Sequence, residues 1–224
     1  MLSYALCAAL IIPTVDLKDG TLPWWKGSPH FGVQLHYGVG SASMEAANAG
    51  VTNAFAGNGA QPFGLAHSVE VSLVFVSPWH ARLQAGAAGL YDWATFPHQG
   101  IDVTGHAWAV VVPILLGYRL PLLDDKIAVS FDAGVEIQPV GGYGFTSDPV
   151  DSPTIITDGT SVGWTVRAGA AWHIVPQFAI TAEIIGRGLK TNEVILEASP
   201  NTHVADNLDF SGVGVRTGIT GYFF

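Results

Sequence analysis

The chain has 224 residues, of which 49% are apolar and only 12% charged, and its net charge is −9. Soluble domains carry roughly 25% charged residues, and a negative chain repels nucleic acid. A single cysteine, Cys7, excludes an intrachain disulfide and a cysteine-rich metal site, and no apolar run reaches the ~18–20 residues of a membrane-spanning helix.

The opening stretch, MLSYALCAALIIPT, reads as the apolar core and end of a secretory signal, although the first basic residue is Lys18. The large Leu6 argues against a lipid anchor on Cys7. Residues 1–29 therefore read as a signal-like segment with an N-terminal extension, and residues 30–224 as one β-domain. From His30 onward the apolar residues alternate with small or polar ones, the period of a strand. In HFGVQLHYGVG, Phe31, Val33, Leu35, Tyr37 and Val39 share one face. The stretch 41–61 is rich in Ala, Gly and Asn and reads as a loop. FGLAHSVEVSLVFV and WHARLQAGAAGLYDW follow, joined by a two-residue turn. ATFPHQGIDVT reads as a loop, then HAWAVVVPILLGYRL and IAVSFDAGVEIQ form a hairpin over the turn PLLDDK. GYGFTSDPVDSPTIITDGTS reads as a polar loop. GWTVRAGAAWHIV and FAITAEIIGRGL form the next hairpin, a loop covers 190–209, and GVGVRTGITGYFF ends the chain.

The spacing predicts eight strands with long and short connections alternating, so an all-β, eight-stranded antiparallel up-and-down transmembrane β-barrel fits. Pro113 lies mid-strand, where a missing N–H calls for a local bulge. The two faces differ sharply. All five arginines fall on the small-residue phase, together with Glu70, Asp132, Glu136 and Glu183. The four lysines lie outside the strands. Glycine and alanine are frequent on the charged phase, which suits a narrow packed lumen. The bulky phase carries Trp79, Tyr91, Trp108, Tyr118, Trp164 and Trp172, mostly near strand ends, where rings favour a membrane boundary. Val129, Val166, Ile180 and Val215 are expected to face lipid.

Counted from the short-turn side, Glu70, Asp132, Arg167, Glu183 and Arg216 stand at similar positions along their strands. Buried charges must pair, so these five residues are predicted to form an ion-pair network that blocks the lumen. The eight histidines show no HExxH motif and no close pair, and the acidic loops lack calcium-site spacing. No catalytic residue, metal site or cofactor is expected.

The segments VPILLGYRLPLLDDKIAVSFDAGVEI, GWTVRAGAAWHIVPQFAITAEIIGRG and GVGVRTGITGYFF resemble strand pairs and the final strand of the small outer-membrane barrels of the OmpA/OmpX type. The resemblance implies a monomer in the bacterial outer membrane. It also implies contact with membrane lipid and lipopolysaccharide, and a terminal aromatic read by the barrel-assembly machinery. In such ends the last aromatic continues the lipid-facing series. Here Phe223 is in phase with Val215 while Tyr222 and Phe224 follow Arg216. Either a bulge near Thr220–Gly221 or Phe223 as the last lipid-facing residue reconciles the pattern. No periplasmic domain is expected after the barrel.

The resemblance implies a non-enzymatic role, supporting the envelope or acting at the surface through four loops. Two alternatives are a small transport barrel for apolar molecules, as in the OmpW group, and a lipid A-modifying enzyme. A barrel deacylase would need a lipid-facing His followed two residues on by Ser, and no His-x-Ser occurs.

Overall fold

The computed structural model describes residues 29–44, 48, 63–98, 101–123, 125–147, 150–151, 155–157, 159–192, 194–196, 199–205 and 207–223. The signal-like segment up to residue 28, with Cys7, and the terminal Phe224 lie outside them. Twelve strands are described. They are β1 (His30–Ser41), β2 (Leu65–Val76), β3 (Ala81–His98), β4 (Ile101–Leu122), β5 (Ile127–Ser147), β6 (Val150–Asp151), β7 (Ile155–Thr157), β8 (Ser161–Val175), β9 (Phe178–Gly188), β10 (Val194–Leu196), β11 (Ser199–Ala205) and β12 (Gly212–Phe223). Eight of them close into a ring of antiparallel neighbours in the order β1-β2-β3-β4-β5-β8-β9-β12, with β12 paired back to β1. The short β6, β7, β10 and β11 extend the sheet from the upper part of β5.

Closure answers what the last strand packs on. β12 pairs with β1 from Phe31↔Phe223 to Gly40↔Gly214 without a register shift, so no bulge intervenes. Phe223 therefore faces outward, and Tyr222 turns into the lumen, where it stacks on His173.

The outer face is the bulky one. Leu73, Leu116, Ile184 and Val215 are all more than half exposed, and Val166 and Ile180 face the same way. A closed sheet satisfies its own backbone and can stand in hydrocarbon. At the short-turn end every barrel strand or its turn supplies one outward ring: Phe31, Phe75, Trp79, Tyr118, Phe131, Trp172, Phe178 and Phe223. On β4 the apolar band runs from Tyr118 to Trp108. At ~3.3 Å per residue and a tilt of ~40°, that rise covers about 25 Å, the height of an outer-membrane apolar belt.

Besides the short β6, β7, β10 and β11, which stand where GYGFTSDPVDSPTIITDGTS and 190–209 are expected to be loops, the strands differ from expectation in three places. ATFPHQGIDVT is not a loop: β3 continues to His98 and β4 resumes at Ile101, with Thr95 and Thr104 hydrogen-bonded across the pair at 3.1 Å. That end is clear of the apolar belt, so outward threonines replace apolar residues and the alternation fades. β5 likewise runs on to Ser147 rather than stopping at Gln138. The reason is a bulge, which lies beside Pro113 rather than at it. Between Val110↔Val140 and Val112↔Ile137, Val111 alone faces Gln138 and Pro139. The extra residue shifts the phase of β5 by one, so Glu136 and Gln138 point inward below it and Tyr143 above it. The β3–β4 ladder also lapses opposite Val112 and Pro113, between Ala85↔Ile114 and Ala88↔Val111. Thirdly, Trp79 sits in the turn before β3 rather than in the strand.

A closed barrel of this kind is expected to stay with membranes through carbonate washing. On a gel it should migrate differently before and after boiling. Release by carbonate as a soluble species would contradict the assignment of the outer face to lipid.

Candidate functional site: the charged lumen

The inward phase is built of small residues opposite large polar ones. Gly117 is the ladder partner of Asp132, Gly163 of Glu136, Gly169 of Glu183, Gly218 of His36 and Gly38 of Arg216. A Cβ at Gly117 would collide with the Asp132 carboxylate, and one at Gly169 would collide with Cγ of Glu183. The glycines thus give each charged side chain room to lie across the neighbouring strand.

Glu70 on β2 is the hub. Arg167 on β8 donates two parallel bonds to it, Nη1 to Oε1 and Nη2 to Oε2, both at 2.9 Å. β2 and β8 are opposite one another in the eight-membered ring, so this pair spans the lumen. Arg216 Nη1 donates to Glu70 Oε2 at 2.7 Å, and its Nε donates to Glu183 Oε2 at 2.6 Å. Gln84 Nε2 donates to Glu70 Oε1 at 2.8 Å. Asp132 is held by Arg82, whose other amino group donates to Gln34 at 2.9 Å. Glu136 takes Arg187 Nε at 2.5 Å and lies 3.5 Å from Arg167 Nη2. His36 Nε2 and Thr181 Oγ1 are hydrogen-bonded at 2.8 Å.

All five residues named from the sequence are buried in the lumen. Glu70, Arg167, Glu183 and Arg216 meet directly. Asp132 is the register partner of Arg167 but takes Arg82 as its ion-pair partner. Arg82, Glu136 and Arg187 were on the right phase but were left out by counting along strands. Barrel strands tilt and stagger, so equal counts do not mean equal depth. With them the belt holds four acids and four arginines. The fifth arginine, Arg119, lies nearer the short turns, bonded to Asp125 and His173 at 3.2 Å each.

Apolar layers lie on both sides of this belt. Toward the short turns, Val74, Val76, Ala179 and Tyr222 pack together. Toward the long loops, Leu90, Val111 and Tyr143 pack with Met44, Phe63, Leu189, Leu208 and Phe210 from the connections. That second layer was not legible in the sequence, because it forms only when Met44, Phe63, Leu208 and Phe210 of the connections are brought onto the strand residues Leu90, Val111 and Tyr143. A cavity beside Arg82, Ser130 and Glu183 measures about 20 Å³, room for roughly one water.

Among the described residues no group of three His, Cys, Asp or Glu is placed to hold a metal ion. His67 faces outward, whereas Ser68 follows the inward phase, its Oγ 2.7 Å from where a Cβ on Gly38 would stand.

No protein-family model and no curated protein matches the sequence. Solved structures do match in shape. The outer membrane protein OprG from Pseudomonas aeruginosa is similar at a TM-score of 0.50 and 11% identity, over 88% of this chain and 97% of that one. Neisserial surface protein A gives 0.47 at 14% identity, over 86% and 97%. The attachment invasion locus protein Ail of Yersinia pestis gives 0.41 at 13% identity, over 88% and 99%. At 11% identity the likeness to OprG is one of fold, and it agrees with the closed antiparallel ring. By its fold, the chain is an eight-stranded antiparallel β-barrel of the architecture seen in small outer-membrane barrels.

Proposed function

We propose that the chain is a non-enzymatic barrel of the bacterial outer membrane with a closed lumen, acting through its long-loop end. The observation that carries this reading is the Arg167–Glu70 pair between opposite strands. It sits in a belt whose charges balance, between two packed apolar layers. An eight-stranded barrel is just wide enough for side chains to fill it. A filled, hydrogen-bonded lumen supports an anchoring role and leaves recognition to the loops and to the tall β3–β5 wall. Transport of apolar molecules through the lumen would require both apolar layers and the belt to part.

The test is conductance in a planar bilayer. The unmodified barrel is expected to give no steady ion-selective current. Arg167→Ala, which removes the cross-lumen bridge, is expected to give brief openings. A large steady current from the unmodified protein would show an open lumen and sink the plugged reading. Uptake of apolar solutes into vesicles, without ion current, would favour the transport alternative.

A further inference from the structure

The two ends of the outer belt are not alike. The short-turn end carries one aromatic ring per strand all the way round, as an anchoring girdle should. At the long-loop end the described outward rings crowd onto β1–β4, with Trp164 on β8 standing apart. β9 and β12 present Gly186, Gly188, Val213 and Val215 there instead. An anchor alone does not call for such one-sidedness.

The crowded side includes two imidazoles on the lipid-facing phase. Tyr37 Oη and His67 Nδ1 are hydrogen-bonded at 2.6 Å. His67 stacks on Trp93 with ring centres 4.5 Å apart and planes at 22°. Trp93 lies 5.5 Å from Tyr91, which in turn stacks loosely on His106 at 6.5 Å and 19°. Five rings from four adjacent strands thus make one surface, held by ring contacts and without a carboxylate among its members. When the phenol donates to Nδ1, the His67 proton resides on Nε2, where it can be offered to a ligand. Indole and phenol faces suit sugar rings, and imidazole N–H groups suit phosphate oxygens.

Directly below the rings, the outward face of β3 is cut away. Gly89, Ala87 and Ala85 follow Tyr91 toward the short turns, between Val69 and Val71 of β2 and Val110 and Ile114 of β4. A Cβ at Gly89 would meet nothing within 4 Å. The result is a shallow apolar furrow that begins under the polar ring surface and runs toward the middle of the belt. A polar, ring-faced surface over an apolar furrow matches one class of molecule, a lipid with a large polar head.

We propose that Tyr37, His67, Tyr91, Trp93 and His106 bind the head of a phosphorylated glycolipid of the outer leaflet, with one of its acyl chains lying in the furrow at Gly89. This rests on the reading of the chain as an outer-membrane barrel with its long loops outward, but not on the closed lumen.

The test is native mass spectrometry of the folded barrel in detergent, titrated with bisphosphorylated lipid A, dephosphorylated lipid A or phosphatidylglycerol. The unmodified barrel is expected to retain one bisphosphorylated lipid A, with about tenfold preference over each of the other lipids, equivalent to about one charge-assisted hydrogen bond. His67→Phe combined with His106→Phe keeps the rings, removes the donors and should erase that preference. Gly89→Leu should fill the furrow and weaken retention, and the open space there lets the barrel fold. Trp164→Leu, on the far side, should change nothing. Equal retention by the folded double variant, an equal loss in Trp164→Leu, or phosphatidylglycerol held as tightly as lipid A would each overturn the proposal. None of these outcomes bears on conductance, so the plugged-lumen reading stands or falls separately.

Discussion

Glu70→Ala is expected to lower the unfolding free energy of the barrel by about 3–5 kcal/mol, the usual cost of leaving buried charges without their partner. The size follows from the hub position. Both arms of Arg167 and one of Arg216 lose their acceptor, and Gln84 loses one as well. These side chains are within a few per cent of full burial. Denaturant titration in lipid vesicles measures the cost. The double variant Glu70→Ala/Arg167→Ala should cost clearly less than the sum of the two single changes, because the pair leaves together. Additive costs would mean that water reaches the belt and that the pairs contribute little.

On the outside the ruling variable is depth. Val71 lies on β2 midway between Phe75 of the short-turn ring and His67 of the long-loop patch, and it is half exposed to the surroundings of the barrel. Val71→Arg is expected to cost about 2–4 kcal/mol, as arginine does near the bilayer midplane, whereas His67→Arg on the same face of the same strand should cost about 0–1 kcal/mol near the boundary. Val71→Ala is the control for lost packing. Equal costs for the two arginines would place the apolar belt at the wrong height or the wrong face toward lipid.

The charged residues show where sequence reading succeeds and where it stops. Phase along a strand is local, so the inward direction of Glu70, Asp132, Arg167, Glu183 and Arg216 could be read from neighbours two residues away. Partner choice is not local. Asp132 faces Arg167 in the ladder, yet its ion-pair partner is Arg82, two strands distant. Arg187 and Arg167 both reach Glu136, which reads on the inward phase but is not among the five residues counted to equal depth. The stagger of strands around a closed ring decides such meetings, and one chain read linearly carries no record of it.

The same division holds for the rest of the molecule. The sequence by itself determined the barrel strands, their inward and outward faces and the side on which the short turns lie, whereas the direction of Phe223 waited on the unbroken β1–β12 register. Each of these follows from period-two alternation imposed by lipid on one side and a narrow lumen on the other. The tertiary structure alone decided the bulge at Gln138–Pro139, the added reach of β3, β4 and β5, the apolar layer of Met44, Phe63, Leu208 and Phe210, and the one-sided ring surface over Gly89. Beyond the apolar belt no lipid enforces alternation. There, strand length and packing depend on which segments ring closure brings side by side.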